Sequence, residues 1–106
     1  MNSHSTYESL EKFCNPAIYS LIQYDIKNNT CLTKSLYVYL KNNKNQSVSA
    51  NILHIHRASM CYRIDKIEKI MKLKLDDANT IHHLYLSLHI LELMHKDEFV
   101  SEVNKQ

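Results

Sequence analysis

Apolar residues recur along this chain chiefly at intervals of three and four, the period of helices buried on one side. Asn15-Pro16 opens the first such stretch: an N-cap residue is followed by proline at the first helical position, where its missing N–H removes no hydrogen bond. Ile18, Leu21, Ile22 and Ile26 keep the spacing until Asn28-Asn29, a pair suited to stop a helix. A second helix, capped by Thr30 or Thr33, carries Leu32, Leu36, Tyr39 and Leu40 on one face and ends in the polar stretch Lys41 to Gln46. Ser47 or Ser49 caps a short third helix through Val48, Ala50, Ile52 and Leu53, which ends near His54-Ile55. A fourth begins at His56 or Arg57. In it Met60, Ile64, Ile67 and Met71 fall at i, i+4, i+7 and i+11, a single core-facing stripe. Leu73 and Leu75 then lead into Asp76-Asp77, a capping pair for a long fifth helix with Ile81, Leu84, Tyr85, Leu88, Leu91 and Leu93 inward and Leu86, Ile90 and Met94 as a second stripe beside them. Periodicity is weak before Asn15 and after Lys96. The pattern therefore predicts a linker or frayed start over 1–14, a folded domain over 15–96 and a frayed tail over 97–106.

Composition narrows this to one architecture. A chain of 106 residues with no Gly and a single Pro lacks the turn residues that β-hairpins need, so the expected fold is all-α: a compact bundle of about five helices with no sheet and no β-wing. Cys14, Cys31 and Cys61 are odd in number and unrelated in spacing, which predicts free thiols in a reducing cytoplasm. No apolar run approaches the roughly 20 residues of a membrane span. The net charge of +2 conceals a strong asymmetry: residues 31–75 hold nine Lys or Arg against two acids, a local +7 that leaves −5 for the remainder. A basic centre between acidic ends is the charge pattern of a phosphate-binding face.

Two short helices joined by the tight stretch His54-Ile55-His56, the second with a buried stripe and a basic outer side, form a helix-turn-helix. The major groove of duplex DNA admits one α-helix, and the N-terminal half of that helix reaches the base edges. With the stripe inward, Ala58, Ser59, Tyr62, Asp65, Lys66 and Lys69 point outward, and Arg57, Cys61 and Arg63 lie on the flanks. His56 and Arg57 stand at the turn, where side chains span groove and backbone, and Arg is the best bidentate reader of guanine. Ser47 and Ser49 hydroxyls at the third helix's first turn suit a phosphate, and Lys44, Lys66 and Lys69 add charge. Tyr62 offers the DNA a ring and a hydroxyl, the competing role being a partly buried ring packed on the second helix, and Cys61 is small enough to allow close approach. For Arg63 the competing role is a surface ion pair with Glu68 or an acid of the fifth helix.

The segment Leu36-Tyr37-Val38-Tyr39-Leu40, then Asn45, Ala50 and Leu53, then His56 to Ile64 and Ile67-Glu68, resembles the C-terminal helix-turn-helix of the PucR/CdaR regulators of purine catabolism and sugar-diacid use. Asn15-Pro16-Ala17, Tyr24-Asp25 and Leu75-Asp76-Asp77 also fit, so the resemblance covers roughly Asn15 to Leu93. Its most specific part is His56-Arg57-x-Ser59-x-x-Tyr62-Arg63, which that family usually writes with Asn and Thr in place of Ala58 and Ser59. Ala58 removes a natural adenine reader from the start of the recognition helix, and Asn29 stands where the family commonly has Gly. The resemblance implies sequence-specific double-stranded DNA binding through a recognition helix over about 57–71, no cofactor, and a homodimeric regulator whose effector-sensing domain lies upstream and outside this chain.

Other functions fit the residues less well. His54-x-His56, His82-His83 and His89 have no Cys or carboxylate at a recognised ligand spacing, so no metal site is expected; His82, His83 and His89 are placed on or beside the packed face of the fifth helix. There is no Gly-rich phosphate loop or nucleophile motif, and Cys61 near His56 lacks the oxyanion donors catalysis needs, so the chain is not read as an enzyme. The alternative is a small helical protein–protein interaction module whose fifth helix mates with a partner.

Overall fold

The computed structural model describes Lys12 and residues 14–94, and among these it holds five α-helices and no strand. They are α1 (Pro16–Asn28), α2 (Leu32–Lys41), α3 (Gln46–Leu53), α4 (Arg57–Met71) and α5 (Ala78–Met94). The expected loose start (apart from Lys12 and Cys14) and the tail over 97–106 lie outside the described residues.

Helix α1 forms as its sequence dictates. The Asn15 side chain accepts from the Ala17 N–H at 2.9 Å, Pro16 occupies the first turn, and Asn29 closes the helix in the left-handed region at φ 54°. The cap of α2 departs from expectation, because neither Thr30 nor Thr33 provides it. Asp25, one turn from the end of α1, reaches across: Oδ1 accepts from the Leu32 N–H at 2.8 Å, and Oδ2 accepts from the Thr33 N–H at 2.8 Å and the Thr33 hydroxyl at 2.7 Å. The Thr30 hydroxyl also donates to Asp25. A carboxylate outbids a hydroxyl here because it accepts several donors at once and carries a full charge to the positive end of the helix.

The second departure is burial. Every residue from Leu32 to Leu40 is buried, not a single face, so α2 is the axial helix on which the others pack. Leu36 and Tyr37 fill its middle, with Ile18 and Leu21 of α1, Met60 and Ile67 of α4, and Leu84 and Leu88 of α5 around them. In α5 the inward face is Leu84, Ser87, Leu88 and Leu91; Tyr85 and Leu93, expected in the core, are exposed. Leu93 lies about 200° around the helix from Leu91, so both cannot face one core. Asp77 caps α5, accepting from the Thr80 N–H at 2.9 Å. The segment before α1 is tied to α5 through the Ser87 hydroxyl, which accepts from the Asn15 N–H at 2.8 Å.

Without glycine, the described residues make their left-handed turns at Asn29, Asn43, Lys44, His54 and Lys72, all with φ between 54° and 60°. Asn tolerates this region best; at Lys and His it costs about 1 kcal/mol.

Candidate nucleic-acid interface

The turn between α3 and α4 sets the site. His54 adopts the left-handed conformation that ends α3, the Ile55 N–H bonds the Ala50 carbonyl at 3.0 Å, and His56 becomes the N-cap of α4. Leu53 and Ala50 on one side and Met60 on the other are buried, so the two helices are locked together at the turn. The α4 stripe expected from the spacing, Met60, Ile64, Ile67 and Met71, is buried throughout. Its opposite side is therefore the outer face: Ala58, Tyr62, Asp65 and Lys69 are exposed, as are His56 and Arg57 at the first turn. Tyr62 is 64% exposed, a tyrosine presented to solvent rather than packed on α2.

The flanking side chains are held by neighbours. Cys61 donates to Gln46 Oε1 at 2.9 Å, joining α4 to the first turn of α3. Arg63 turns the other way, and its Nη1 donates to the buried Ser35 hydroxyl at 2.9 Å, which in turn donates to the Cys31 carbonyl at 2.9 Å. The surface ion pair considered for Arg63 does not form, since the Glu68 carboxylate instead accepts from the Leu75 N–H at 2.8 Å. The Lys66 ammonium stands 5.2 Å from the centre of the Tyr24 ring and 5.6 Å from that of Tyr62. Hydrogen bonds to the Tyr24 and Tyr62 hydroxyls hold its pKa above the ordinary lysine value. Lys69 pairs with Asp65 at 3.0 Å, with both side chains mostly exposed, an interaction weak enough to give way to a phosphate. Lys44 is exposed but its Nζ donates to the Leu75 carbonyl at 3.0 Å.

At α3 the expectation needs correction. Asn45, not Ser47 or Ser49, is the N-cap, its side chain accepting from the Val48 N–H at 2.9 Å. Ser47 is exposed, but Ser49 is 0% exposed and its hydroxyl has no hydrogen-bond partner, so it cannot touch a phosphate in this fold. It shares a face with Leu53, four residues on, and goes inward with it. Val48 and Ile52, assigned to that helix's apolar set, are instead exposed.

Residue types alone did not single out Tyr24, Thr30 and Cys31. With Ser59, Tyr62, Arg63 and Lys66 they line a cleft of about 670 Å³ between the α1–α2 turn and the outer flank of α4. The only pointer along the chain is Tyr24-Asp25, and nothing local says that it faces α4.

The histidines of α5, expected on or beside the packed face, are exposed. His89 Nδ1 lies 3.2 Å from the Tyr37 hydroxyl, which donates to Glu92 at 3.0 Å. Burial and then the Glu92 carboxylate push the Tyr37 pKa far above the usual tyrosine value. Among the described residues no three His, Cys, Asp or Glu side chains are grouped to hold a metal ion, and no helix is long and apolar enough to cross a membrane.

Comparison with known proteins places this geometry. The model of the PucR C-terminal helix-turn-helix domain matches residues 32–90, from the first residue of α2 into α5. The purine catabolism regulatory protein of Bacillus subtilis (strain 168) is 32% identical over 87 residues, covering 82% of this chain and 16% of that protein. The proline-responsive transcriptional activator PutR of the same organism is 35% identical over 68 residues, covering 64% of this chain and 16% of that protein. The chain thus spans about one-sixth of the length of either relative. No solved structure matches.

Proposed function

This chain belongs to the PucR C-terminal helix-turn-helix domain family, a family of transcription-regulator DNA-binding domains and not of enzymes, and on that premise we propose that it recognises a specific double-stranded DNA sequence with α4 in the major groove. The observation that carries this is the outer face of α4: exposed at Ala58, Tyr62, Asp65 and Lys69, and opened by His56 and Arg57 at the tight turn.

In this arrangement Arg57 makes the bidentate contact to guanine, and His56, Ser59 and Tyr62 contact the neighbouring bases or backbone. Ala58 has no donor or acceptor, so its position reads by fit against a thymine methyl. Ser47, Lys44, Lys66 and Lys69 bind phosphates, while Cys61 and Arg63 fix α4 against α3 and α2 and approach the DNA from its flanks. Selection of bound duplexes from a random pool gives the site. Against that site Arg57→Ala is expected to weaken binding by about 1–3 kcal/mol, more than it weakens binding to unrelated duplex. An equal loss on both would reduce Arg57 to a phosphate contact.

One recognition helix reads too few base pairs to select a site in a genome, so the longer protein is proposed to act as a homodimer, with a metabolite-sensing part upstream of this domain. The outer side of α5 supplies the surface: Leu86 is 45% exposed, Leu93 66% exposed, and Ile90 and Met94 are half-buried. Sedimentation of the chain beside its Leu86→Glu variant checks this, with a concentration-dependent dimer expected only for the unaltered protein. A bare helical interaction module is disfavoured because it has no need of the exposed cations on α4.

A further inference from the structure

If α4 occupies the major groove, its surroundings assign the two DNA strands to different parts of the protein. A helix about 10–12 Å across in a groove about 12 Å wide has a phosphodiester strand along each flank. On one flank of α4, where Cys61 meets Gln46, stands the first turn of α3 with Ser47. On the other flank Ser59, Arg63 and Lys66, at i, i+4 and i+7, face the α1–α2 turn across the 670 Å³ cleft.

The far wall of the cleft is Thr30 and Cys31. The Leu32 and Thr33 N–H groups behind it are already taken by Asp25, so the helix terminus is not the source of attraction for an anion. Charge comes from side chains instead. Arg63 is oriented by its bond to Ser35 with its other guanidinium nitrogens left over, and Lys66 is steadied between two tyrosine rings. Neither is paired with a carboxylate among the described residues. The Thr30 hydroxyl is likewise taken by Asp25, but two cations held without a counter-ion beside the hydroxyls of Ser59 and Tyr62 match the chemistry of a phosphodiester, which is anionic and accepts but does not donate.

Resting on the DNA-binding role proposed above, we propose that this cleft is a preformed seat for the phosphodiester backbone of the strand opposite α3, and that the α1–α2 turn is a second DNA-contacting element. It fixes how deeply and at what tilt α4 enters the groove without reading sequence.

Cys31 provides the test, because it is exposed and its side chain makes no cap bond. Cys31→Lys and Cys31→Glu place a charge in the cleft; Ile26→Lys and Ile26→Glu place the same charge on an exposed part of α1 outside it. Each variant of the 106-residue chain is titrated with a labelled random-sequence duplex between about 50 and 200 mM salt, and circular dichroism melting confirms that it folds. Cys31→Lys is expected to steepen the plot of log K against log salt by about 0.9, so that its advantage over the unaltered chain shrinks about threefold across that range, and Cys31→Glu is expected to do the reverse. Lys66→Gln, which leaves the α1–α2 turn untouched, is expected to flatten the slope by about the same amount. Equal shifts from the Cys31 and Ile26 pairs, or no shift from either while Arg57→Ala still weakens binding, would overturn the seat and leave the DNA-binding role standing. An unchanged slope together with saturable binding of inorganic phosphate at the Cys31 and Lys66 amides would overturn it in favour of a free-anion site. Failure of the unaltered chain to bind duplex even at about 50 mM salt removes DNA binding itself, and the seat with it.

Discussion

Asp25→Ala is expected to destabilise this protein about as much as a core truncation of similar size, although the side chain is only half-buried. The carboxylate accepts from the Leu32 and Thr33 N–H groups and from the Thr30 and Thr33 hydroxyls, thereby capping α2 from α1. Loss of an ordinary side-chain cap costs about 1 kcal/mol, and a hydrogen bond to a charged group is worth about 1.5–3 kcal/mol. The four bonds are not additive, and water reaches the exposed Thr30 side, so about 2–4 kcal/mol is the expected total. The helix left uncapped is the axial one, buried from Leu32 to Leu40, so no local fraying relieves the loss. For a domain of this size the cost corresponds to a fall in Tm on the order of 10–20 °C. Urea unfolding followed by circular dichroism measures it, with the midpoint falling and the m-value unchanged. Asp25→Asn keeps one acceptor oxygen and should fall between. A loss below about 0.5 kcal/mol for Asp25→Ala, the range of an inert surface change, would show that α2 does not depend on this cap.

Ser49→Ala removes a buried hydroxyl that has no partner, so it is expected to leave stability unchanged or raise it by up to about 1 kcal/mol, with DNA affinity unaltered; a loss of affinity in gel shifts would return Ser49 to the interface. Lys72→Gly relieves a lysine held at φ 59° and is expected to stabilise by about 1 kcal/mol in urea titration, a gain that would be absent if that conformation carried no cost. Tyr37 stays protonated in the folded state where the unfolded chain ionises near pH 10, so the folded state binds more protons and stability falls as pH rises above about 10. Urea midpoints should drop from there upward and drop less steeply in Tyr37→Phe; parallel curves would show that Tyr37 is not responsible.

Local chemistry by itself determined the five helices of the described residues, the Asn15-Pro16 start and Asn29 stop of α1, the inward stripe of α4, the Asp77 start of α5 and the exposed His56, Arg57, Ala58 and Tyr62 of the outer face. Each rests on interactions within a turn or two, or on a period of 3.6 residues that puts side chains on a common face. That period says which residues share a face, not how many faces neighbours will cover. Only packing made α2 axial and buried all its sides, turned Ser49 inward with Leu53, and sent Leu93 to the surface when Leu84, Leu88 and Leu91 took the core. Contacts between helices distant in sequence were equally out of reach of local rules. Asp25 took the cap from Thr30 and Thr33, Arg63 bonded Ser35, and Lys66 settled between Tyr24 and Tyr62 because the fold brought the α1–α2 turn alongside α4. A polar side chain takes the best partner within reach, and the tertiary structure decides what lies within reach.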